Sequence, residues 1–437
     1  MVDLSVHFGG LELKNPYGVA PLGLCNPGNR VPEKNANMLM KYVDSGASYV
    51  FIHATCSELE HPKNMEPTGR WMKIEVPGFG VLGHLHINDA ERNMIRLNPA
   101  KKLIKIMKEK LPDNIPLIID LMAEHTPKSW ADLAAEVEEA GVDAVELDTS
   151  CPCPVGTIAD VKGIGEAYIE KKMPEGTEQL RPGLLIGDTL ELLEPVTQAV
   201  RKAIKIPFGV KLSAETGFPR LLAFAKTLKE SGANWITAVN CGVTVSPPNI
   251  YDGGKPTWND LNASTISLTT GPWMRFQCYR DIGTISLAYP EIDLSAVGGL
   301  VEPEHHIEAI MLGAKTTQFA SGMFWKGTDN IKRTISFTEK YIKDYGYDKI
   351  EDFRGAALKY FKPMKDVDWK FGKIVAVTDY DKCNGCTWCA KCGCYAIYMK
   401  GGHARTIPEE CTGCNLCVTM CPQNARKIIP MDSYQRD

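Results

Sequence analysis

The chain has 437 residues and a formal net charge of −4, and 44% of its residues are hydrophobic. This composition supports a large core and excludes both a strongly basic nucleic-acid-binding protein and an acidic disordered one. The N-terminal stretch lacks the basic and apolar regions of a signal peptide, and no apolar run reaches about 18 residues, so we expect a cytoplasmic protein without a membrane span.

Four segments of the first 330 or so residues repeat one pattern, in which a small residue and a glycine precede a short apolar run. The glycines are Gly46, Gly141, Gly232 and Gly313. A glycine commonly ends a helix, and a short loop then leads into a buried strand. Further strands are predicted at 17–21, 116–122, 207–212 and 294–297, and helices at 100–111, 129–140, 188–204, 219–231 and 303–312.

About eight such units predict an α/β fold of the (β/α)8 TIM barrel type, with a doubly wound sheet as the alternative. Barrel enzymes place their chemistry where strands end. Here the strand ends carry 148–154, Lys211, Asn240, the pair Gly298 and Gly299, and 320–322. The glycines favour a phosphate site over ordinary turns.

A glycine motif at 78–83 matches the dinucleotide fingerprint in spacing only. That fingerprint requires a strand before the glycines and a helix after them. The residues that follow Gly83 do not resemble a helix start. The chain therefore contains no convincing dinucleotide-binding unit.

Nine of the 15 cysteines lie between Cys383 and Cys421. The run from Cys411 to Pro422 has the C-x2-C-x2-C-x3-C-P spacing of bacterial ferredoxins that hold two 4Fe–4S clusters. In that pattern the fourth cysteine ligates the other cluster. One cluster is thus predicted on Cys383, Cys386, Cys389 and Cys421, and the other on Cys411, Cys414, Cys417 and one upstream cysteine.

The upstream cysteine has two candidates, because the expected position is Gly393 and a cysteine flanks it on each side. We prefer Cys392, since residues 395–397 then fall at the usual turn into a strand, and Cys394 is the alternative. A pair of zinc ribbons would need only four cysteines per metal and rarely shows two tandem triplets. The predicted organisation is a barrel at 1–335, a connecting helix and linker at 336–372, and an α+β ferredoxin-like domain at 373–437.

An ordered set of short motifs resembles the dihydroorotate dehydrogenase-like superfamily and, more closely, the catalytic FMN and iron–sulfur part of dihydropyrimidine dehydrogenase. The motifs are Asn15-Pro16-Tyr17-Gly18, Ala20-Pro21, Ser150-Cys151-Pro152, Lys211, Asn240, Gly298-Gly299 and Ser321-Gly322. The order of barrel and ferredoxin-like tail is similar as well. The resemblance covers nearly the whole chain.

The resemblance implies FMN at the barrel mouth and assigns its contacts. Ala20 and Pro21 would lie behind the flavin ring, and Lys211 near N1 and O2 would stabilise the reduced flavin. Thr55, Asn240, Gly298, Gly299, Ser321 and Gly322 complete the predicted cofactor-binding set. Cys151 would be the general acid, protonating one carbon while flavin N5 delivers hydride to the next, and Cys153 is the second candidate.

Several positions differ from the pyrimidine-binding pattern of the family. Asp148 stands where the family has a base-binding asparagine, Ala54 is aligned with a lysine on strand two, and His84 and His86 lie near a second asparagine. The predicted substrate residues are Asp148, Asn240, His84 and His86. A site built for one ring discriminates strongly when its hydrogen-bonding groups change, so these departures argue against uracil or thymine, and the predicted substrate is a small cyclic compound.

The predicted function is an oxidoreductase acting on a C=C or CH–CH bond, with electrons relayed by two clusters. Since no dinucleotide fold is recognised, the donor would be an FAD/NAD(P)H subunit or a ferredoxin, in an assembly of like or unlike chains. The long stretch at 154–182 is either a lid or a surface insertion. The alternatives are dihydropyrimidine dehydrogenase itself, or an electron-transfer subunit whose barrel is a docking platform.

Overall fold

A computed structural model describes residues 2–22, 31–57, 69–76, 80–87, 94–149, 186–258, 261, 266–391 and 393–435. The chain divides into two compact units, Met1–Lys359 and Tyr360–Asp437. Residues 336–359 group with the first unit, and the three-part division at 335 and 372 stays a prediction. The predicted residues Cys151, Cys153 and Cys392 and the stretch at 154–182 lie outside the described residues.

Eight parallel strands form a closed barrel in the first unit. The first strand, β1 (Tyr17–Val19), pairs with β8 (Thr316–Phe319) on one side and with β2 (Tyr49–Cys56) on the other, which closes the sheet. The barrel prediction is therefore confirmed, and the doubly wound alternative is excluded. The strands are β1 (Tyr17–Val19), β2 (Tyr49–Cys56), β3 (Leu117–Leu121), β4 (Ala144–Leu147), β5 (Phe208–Lys211), β6 (Trp235–Ala238), β7 (Asp293–Val297) and β8 (Thr316–Phe319).

Amphipathic helices cover the barrel, and their ends follow from local sequence. Thr126 caps helix α3 (Pro127–Glu139) by accepting a hydrogen bond from the Ser129 amide, and Pro127 occupies the first turn of this helix. The four predicted glycines have φ between +93° and +109°, as helix-ending residues require. The helices are α1 (Pro32–Asp44), α2 (Leu97–Lys110), α3 (Pro127–Glu139), α4 (Leu190–Ala203), α5 (Leu221–Glu230), α6 (Arg275–Ala288), α7 (Pro303–Met311), α8 (Ser321–Lys326) and α9 (Asp329–Tyr345).

A β-hairpin, Val6–Phe8 and Leu11–Leu13, packs against the end of the barrel where the strands begin. The ring of Phe8 lies 5.3 Å from that of Trp235, which belongs to the first residue of β6. This end of the barrel is filled with apolar side chains. The opposite end, where the strands finish, is left as the mouth.

A four-stranded antiparallel sheet, which we call the mouth sheet, is inserted after β2 and β6. Its strands are Arg70–Val76, Gly80–Ile87, Gly242–Val245 and Ile266–Thr270. Shorter elements in this unit are the strand Ile95–Arg96 beside β2, the strands Pro248–Asn249 and Lys255–Pro256, and the 3-10 turns Pro272–Met274 and Ile350–Asp352. Within the described residues, no helix is long and apolar enough to cross a bilayer.

The second unit contains two antiparallel strand pairs. Strand β9 (Ile374–Thr378) pairs with β12 (Arg426–Pro430), and β10 (Ile397–Lys400) pairs with β11 (His403–Thr406). Cys389 and Cys417 lie in its two helices and contribute to a small core with Ala376, Ile397 and Ala404. This arrangement confirms the ferredoxin-like fold. The elements are β9 (Ile374–Thr378), α10 (Trp388–Lys391), β10 (Ile397–Lys400), β11 (His403–Thr406), α11 (Leu416–Thr419) and β12 (Arg426–Pro430), with 3-10 turns at Met364–Asp366, Pro408–Glu410 and Met431–Ser433.

Gly209 on β5 lets the Trp235 ring pack against the strand, since a Cβ there would lie 2.0 Å from Trp235 Cε2. Gly209→Ala should therefore lower the free energy of unfolding by roughly 1–3 kcal/mol or more, because a fully buried ring has to move. Urea unfolding followed by tryptophan fluorescence measures this. Gly217→Ala is the control, because its nearest neighbour would lie 3.6 Å away on the Arg220 side chain. Equal midpoints for the two variants would contradict the packing argument.

Candidate active site and cysteine clusters

A cavity of about 960 Å³, including its part open to solvent, occupies the mouth of the barrel. Most of the predicted cofactor and substrate residues line it. They are Ala20, Pro21, His86, Asp148, Lys211, Asn240, Gly298, Gly299 and Ser321.

Three predicted residues do not line this cavity. Thr55 is buried, and its hydroxyl donates to the His53 carbonyl at 3.0 Å. A Cβ on Gly322 would point at the Leu300 carbonyl, 2.7 Å away. His84 accepts from Trp325 Nε1 at 3.3 Å, next to the cavity wall. Their assignments remain predictions from the resemblance.

His53 lines the cavity, although the sequence comparison singled out Ala54 on the same strand. Ala54 packs with Cys56, Met94 and Met122 in a separate apolar cluster. The pairing of β2 with β3 is irregular between Ile52 and Thr55, so regular strand alternation does not decide which of these side chains faces the cavity. The sequence therefore carried no clear signal for His53.

Lys211 provides the positive charge of the cavity and is the one lysine or arginine among its described lining residues. Its side chain is 8% exposed, and its Nζ lies 4.0 Å from Asp148 Oδ2. Burial opposes the charge, but Asp148, Asp120 and Glu146 together outweigh it and raise the pKa of Lys211. Lys211 is therefore a cation throughout the physiological pH range.

Asp120 on β3 and Glu146 on β4 are opposite each other in the register of the two neighbouring strands. Glu146 is also two residues further from the mouth than Asp148, which follows it in the chain. Glu146 accepts hydrogen bonds from Trp235 Nε1, at 3.1 Å, and from the Thr237 hydroxyl. Burial raises its pKa, while the charge of Lys211 and these hydrogen bonds oppose the rise. The sequence analysis did not assign a role to either carboxylate. The sequence feature that could have identified them is a single acidic residue within an otherwise apolar barrel strand.

Asp148 and Asn240 form the polar wall beside Lys211. Asn240 Nδ2 donates to Asp148 Oδ1 at 3.1 Å, and Asn240 Oδ1 accepts from the Cys241 amide at 2.8 Å. These contacts fix the orientation of the amide group. The wall therefore presents a carboxylate, which accepts hydrogen bonds, next to an oriented amide.

An aromatic wall also lines the cavity. Trp71 of the mouth sheet stacks on His86, with ring centroids 4.3 Å apart and planes 14° apart. Phe324 meets the Trp71 ring edge-on at 5.6 Å. Flat apolar surfaces of this kind suit a planar ring. Neither Trp71 nor Phe324 was identified from the sequence, although Phe324 follows the lining residue Ser321 by three positions.

The ends of β7 and β8 form the glycine-rich part of the cavity. Gly298 and Gly299 have φ of +114° and +74°, and a Cβ on Gly299 would lie 2.6 Å from the Arg275 amide nitrogen. The backbone packing itself thus requires Gly299. The Ser321 hydroxyl is buried and has no hydrogen-bond partner among the described residues. Backbone that lines a cavity and an unsatisfied hydroxyl are groups to which a phosphate can bind.

In the second unit, Cys383, Cys386, Cys389 and Cys421 line one cavity of about 320 Å³. These are the four cysteines assigned to one cluster by spacing. Cys411 and Cys414 lie close enough to Cys417 to act on its thiol electrostatically. Cys394 is half-buried beside the small core, and Cys392 lies outside the described residues. The ligand assignments stay predictions, and among the described residues no three or more His, Cys, Asp or Glu side chains are grouped so that they could hold a metal ion.

Comparison with known proteins gives matches in both units. A family profile described as a 4Fe-4S binding domain matches residues 404–427. The dihydropyrimidine dehydrogenase subunit PreA of Escherichia coli, named as NAD-dependent, is 26% identical over 92% of this chain and 86% of its own length. The chain is a homologue of the dihydropyrimidine and dihydroorotate dehydrogenases.

Two other relatives in this homologous group support the same relationship. The chloroplastic NADP(+) dihydropyrimidine dehydrogenase of Arabidopsis thaliana is 24% identical over 84% of this chain and 79% of its own length. The catalytic subunit of dihydroorotate dehydrogenase B from Thermoplasma acidophilum is 23% identical over 82% of the chain and its whole length. The resemblance found in the sequence is confirmed, as are the oxidoreductase class and a 4Fe–4S domain.

In this dehydrogenase homologue His53 should make stability depend on pH. Burial, reinforced by the charge of Lys211, lowers the pKa of His53 to about 4, against a smaller opposing hydrogen bond with Pro21. In the unfolded chain its pKa is about 6.5. As the pH falls from about 6.5 to 4, the unfolded state takes up a proton that the folded state does not, so stability is lost.

His53→Gln should therefore lose less stability than the wild type over that pH range. Urea midpoints measured at several pH values give the difference. The same substitution at His7, a largely exposed residue of the N-terminal hairpin, is the control for removing an imidazole. Parallel pH profiles for the wild type and His53→Gln would contradict the depressed pKa.

Proposed function

We propose that this chain is the catalytic component of an iron–sulfur flavoenzyme that reduces, or forms, a C=C bond in a small cyclic substrate. One observation carries the proposal: the cavity at the barrel mouth combines the buried cation Lys211, an aromatic wall and a glycine-rich end with the unsatisfied Ser321 hydroxyl. These groups suit the ring and the phosphate of a flavin mononucleotide. The dehydrogenase relatives support the reaction class.

The proposed FMN contacts combine the cavity with the resemblance. Ala20 and Pro21 lie behind the ring, and Gly298, Gly299 and Ser321 hold the phosphate, with Gly322, Thr55 and Asn240 completing the set. Bound FMN would supply hydride to the substrate and store electrons from the clusters. The raised pKa of Lys211 suits a group that keeps its charge next to a reduced, anionic ring.

Asp148, Asn240, His84 and His86 are the proposed substrate residues. An asparagine amide both donates and accepts hydrogen bonds, whereas a carboxylate only accepts them. Asp148 therefore accepts from a ring N–H or O–H group but, unlike an asparagine, cannot donate to a ring carbonyl such as those of uracil and thymine, and it disfavours an anionic substituent. We infer a substrate other than uracil or thymine. Dihydropyrimidine dehydrogenation itself, the activity that names two of the relatives, is the second candidate.

Cys151 is the proposed general acid, and Cys153 is its alternative. Both follow β4 in the chain, after the polar wall residue Asp148. A thiol with a pKa near 8.5 can give up a proton close to neutral pH. Two 4Fe–4S clusters, the second completed by Cys392, would relay electrons from an FAD/NAD(P)H subunit or a ferredoxin in a cytoplasmic assembly.

Cys151→Ala tests the catalytic assignment. A panel of uracil, thymine, cytosine, orotate and their dihydro forms is first screened anaerobically for the compound that exchanges electrons fastest with the bound flavin. With that compound, Cys151→Ala should lower the rate about 10²–10⁴-fold because the proton donor is lost. Flavin reduction by dithionite should be unchanged, and Cys153→Ala should keep the wild-type rate. Loss of rate in Cys153→Ala alone would show that Cys153 is the acid, and wild-type rates in both variants would instead favour a non-catalytic electron-transfer subunit.

Asp148→Asn tests the substrate assignment. The protein is photoreduced without oxygen and titrated with uracil or thymine while flavin absorbance is followed. Micromolar uracil should not reoxidise the wild type, whereas Asp148→Asn should respond at concentrations at least about tenfold lower, because one mismatched polar contact is removed. Wild-type reoxidation at micromolar uracil would show the second candidate to be correct.

A further inference from the structure

Arg426, at the start of β12, is buried inside the second unit with only 3% of its surface exposed. Its Nη1 donates to the Thr378 hydroxyl at 2.6 Å, and its Nη2 donates to the Thr406 hydroxyl at 2.8 Å. Thr378 ends β9 and Thr406 ends β11, so the guanidinium is anchored to both strand pairs. Its position is therefore fixed by the fold.

The charge of this guanidinium is not balanced by a carboxylate. Among the described residues, Arg426 has no aspartate or glutamate oxygen within 4.0 Å, and its neutral partners are threonine hydroxyls. A buried ion without a counter-charge destabilises a fold strongly. Some anionic group close to Arg426 is therefore expected in the functional protein.

The closest candidates are the cysteine thiolates. Arg426 Nη2 donates to Cys417 Sγ at 3.5 Å, which belongs to one predicted ligand group. Arg426 also lines the cavity formed by Cys383, Cys386, Cys389 and Cys421, the other predicted group. A single buried cation thus contacts one set of ligands and lines the cavity of the other.

We propose that Arg426 is the shared counter-ion of two 4Fe–4S clusters and raises the reduction potential of both. The proposal rests on the cluster assignment made under the proposed function. Each cluster with its thiolates is anionic, and the arrival of one electron adds one negative charge without a proton. A fixed positive charge and a hydrogen bond to a ligand sulfur favour the form with the extra electron.

A purely structural role for Arg426, joining the two strand pairs through Thr378 and Thr406, makes a different prediction. In that case its replacement would alter cluster content or stability but not the potential of clusters that are still bound. A measured change in reduction potential therefore distinguishes a residue that sets the cluster potential from one that only supports the fold.

The experiment compares Arg426→Gln, Arg426→Lys and the wild type as full-length, reconstituted protein. Lys427→Gln is the matched control, because Lys427 is the next residue of the same strand, carries the same charge and is exposed. Iron and sulfide contents are measured first, and the clusters are then titrated anaerobically with EPR detection. At the wild-type midpoint, Arg426→Gln should lower the ratio of reduced to oxidised cluster at least tenfold, equivalent to about 59 mV for a one-electron centre.

Arg426→Lys, which keeps the charge, should lower that ratio less than tenfold, and Lys427→Gln should leave it unchanged. An unaltered potential in an Arg426→Gln protein with full iron content would overturn the proposal. Should Arg426→Gln fail to bind iron, Arg426→Lys decides: wild-type iron content and potential support the counter-ion role, and loss of iron overturns it. Absence of iron from the wild type would instead overturn the cluster assignment itself.

Discussion

The pairing of β1 with both β8 and β2 is the constraint on which the rest of the barrel unit depends. Closure brings the ends of all eight strands to one mouth, so residues 301 positions apart, such as Ala20 and Ser321, line the same cavity. The N-terminal hairpin fills the opposite end with apolar side chains. Any ligand of the barrel interior therefore has to bind where Lys211, Asp148 and Asn240 meet.

A buried cation organises each of the two units, but its environment differs. Three carboxylates surround Lys211 and raise its pKa, so its charge is balanced by the protein itself. Arg426 is surrounded by threonine hydroxyls and cysteine sulfur, and no carboxylate of the described residues pairs with it. Its positive charge therefore requires another anionic group nearby. Since both proposed cofactors become more negative on reduction, each cation would favour the reduced state of the group beside it.

The carboxylates near Lys211 also bear on selectivity. Asp148 faces the cavity, while Glu146 Oε2 accepts hydrogen bonds from Trp235 and Thr237 deeper in the barrel. Adding a negative charge to the ligand would therefore be unfavourable on the Asp148 side and favourable only close to Lys211. The cavity is therefore negative on the Asp148 side and positive close to Lys211, and the stacked rings of Trp71 and His86 form an aromatic wall. These differences would let a flavin and a planar neutral ring occupy different parts of one cavity.

Features encoded in short spacing follow from the amino-acid order alone: the glycine-ended helices, the eight β/α units, the ferredoxin cysteine pattern and most strand-end residues of the cavity. These depend on local backbone geometry and on covalent neighbours, which a sequence contains directly. Folding in three dimensions adds that His53 rather than Ala54 faces the cavity, that Asp120 and Glu146 lie near Lys211, that Trp71 stacks on His86, and that Arg426 lies between the two cysteine groups. Those relations are set by strand register and closure, because both bring together side chains that are distant in the chain.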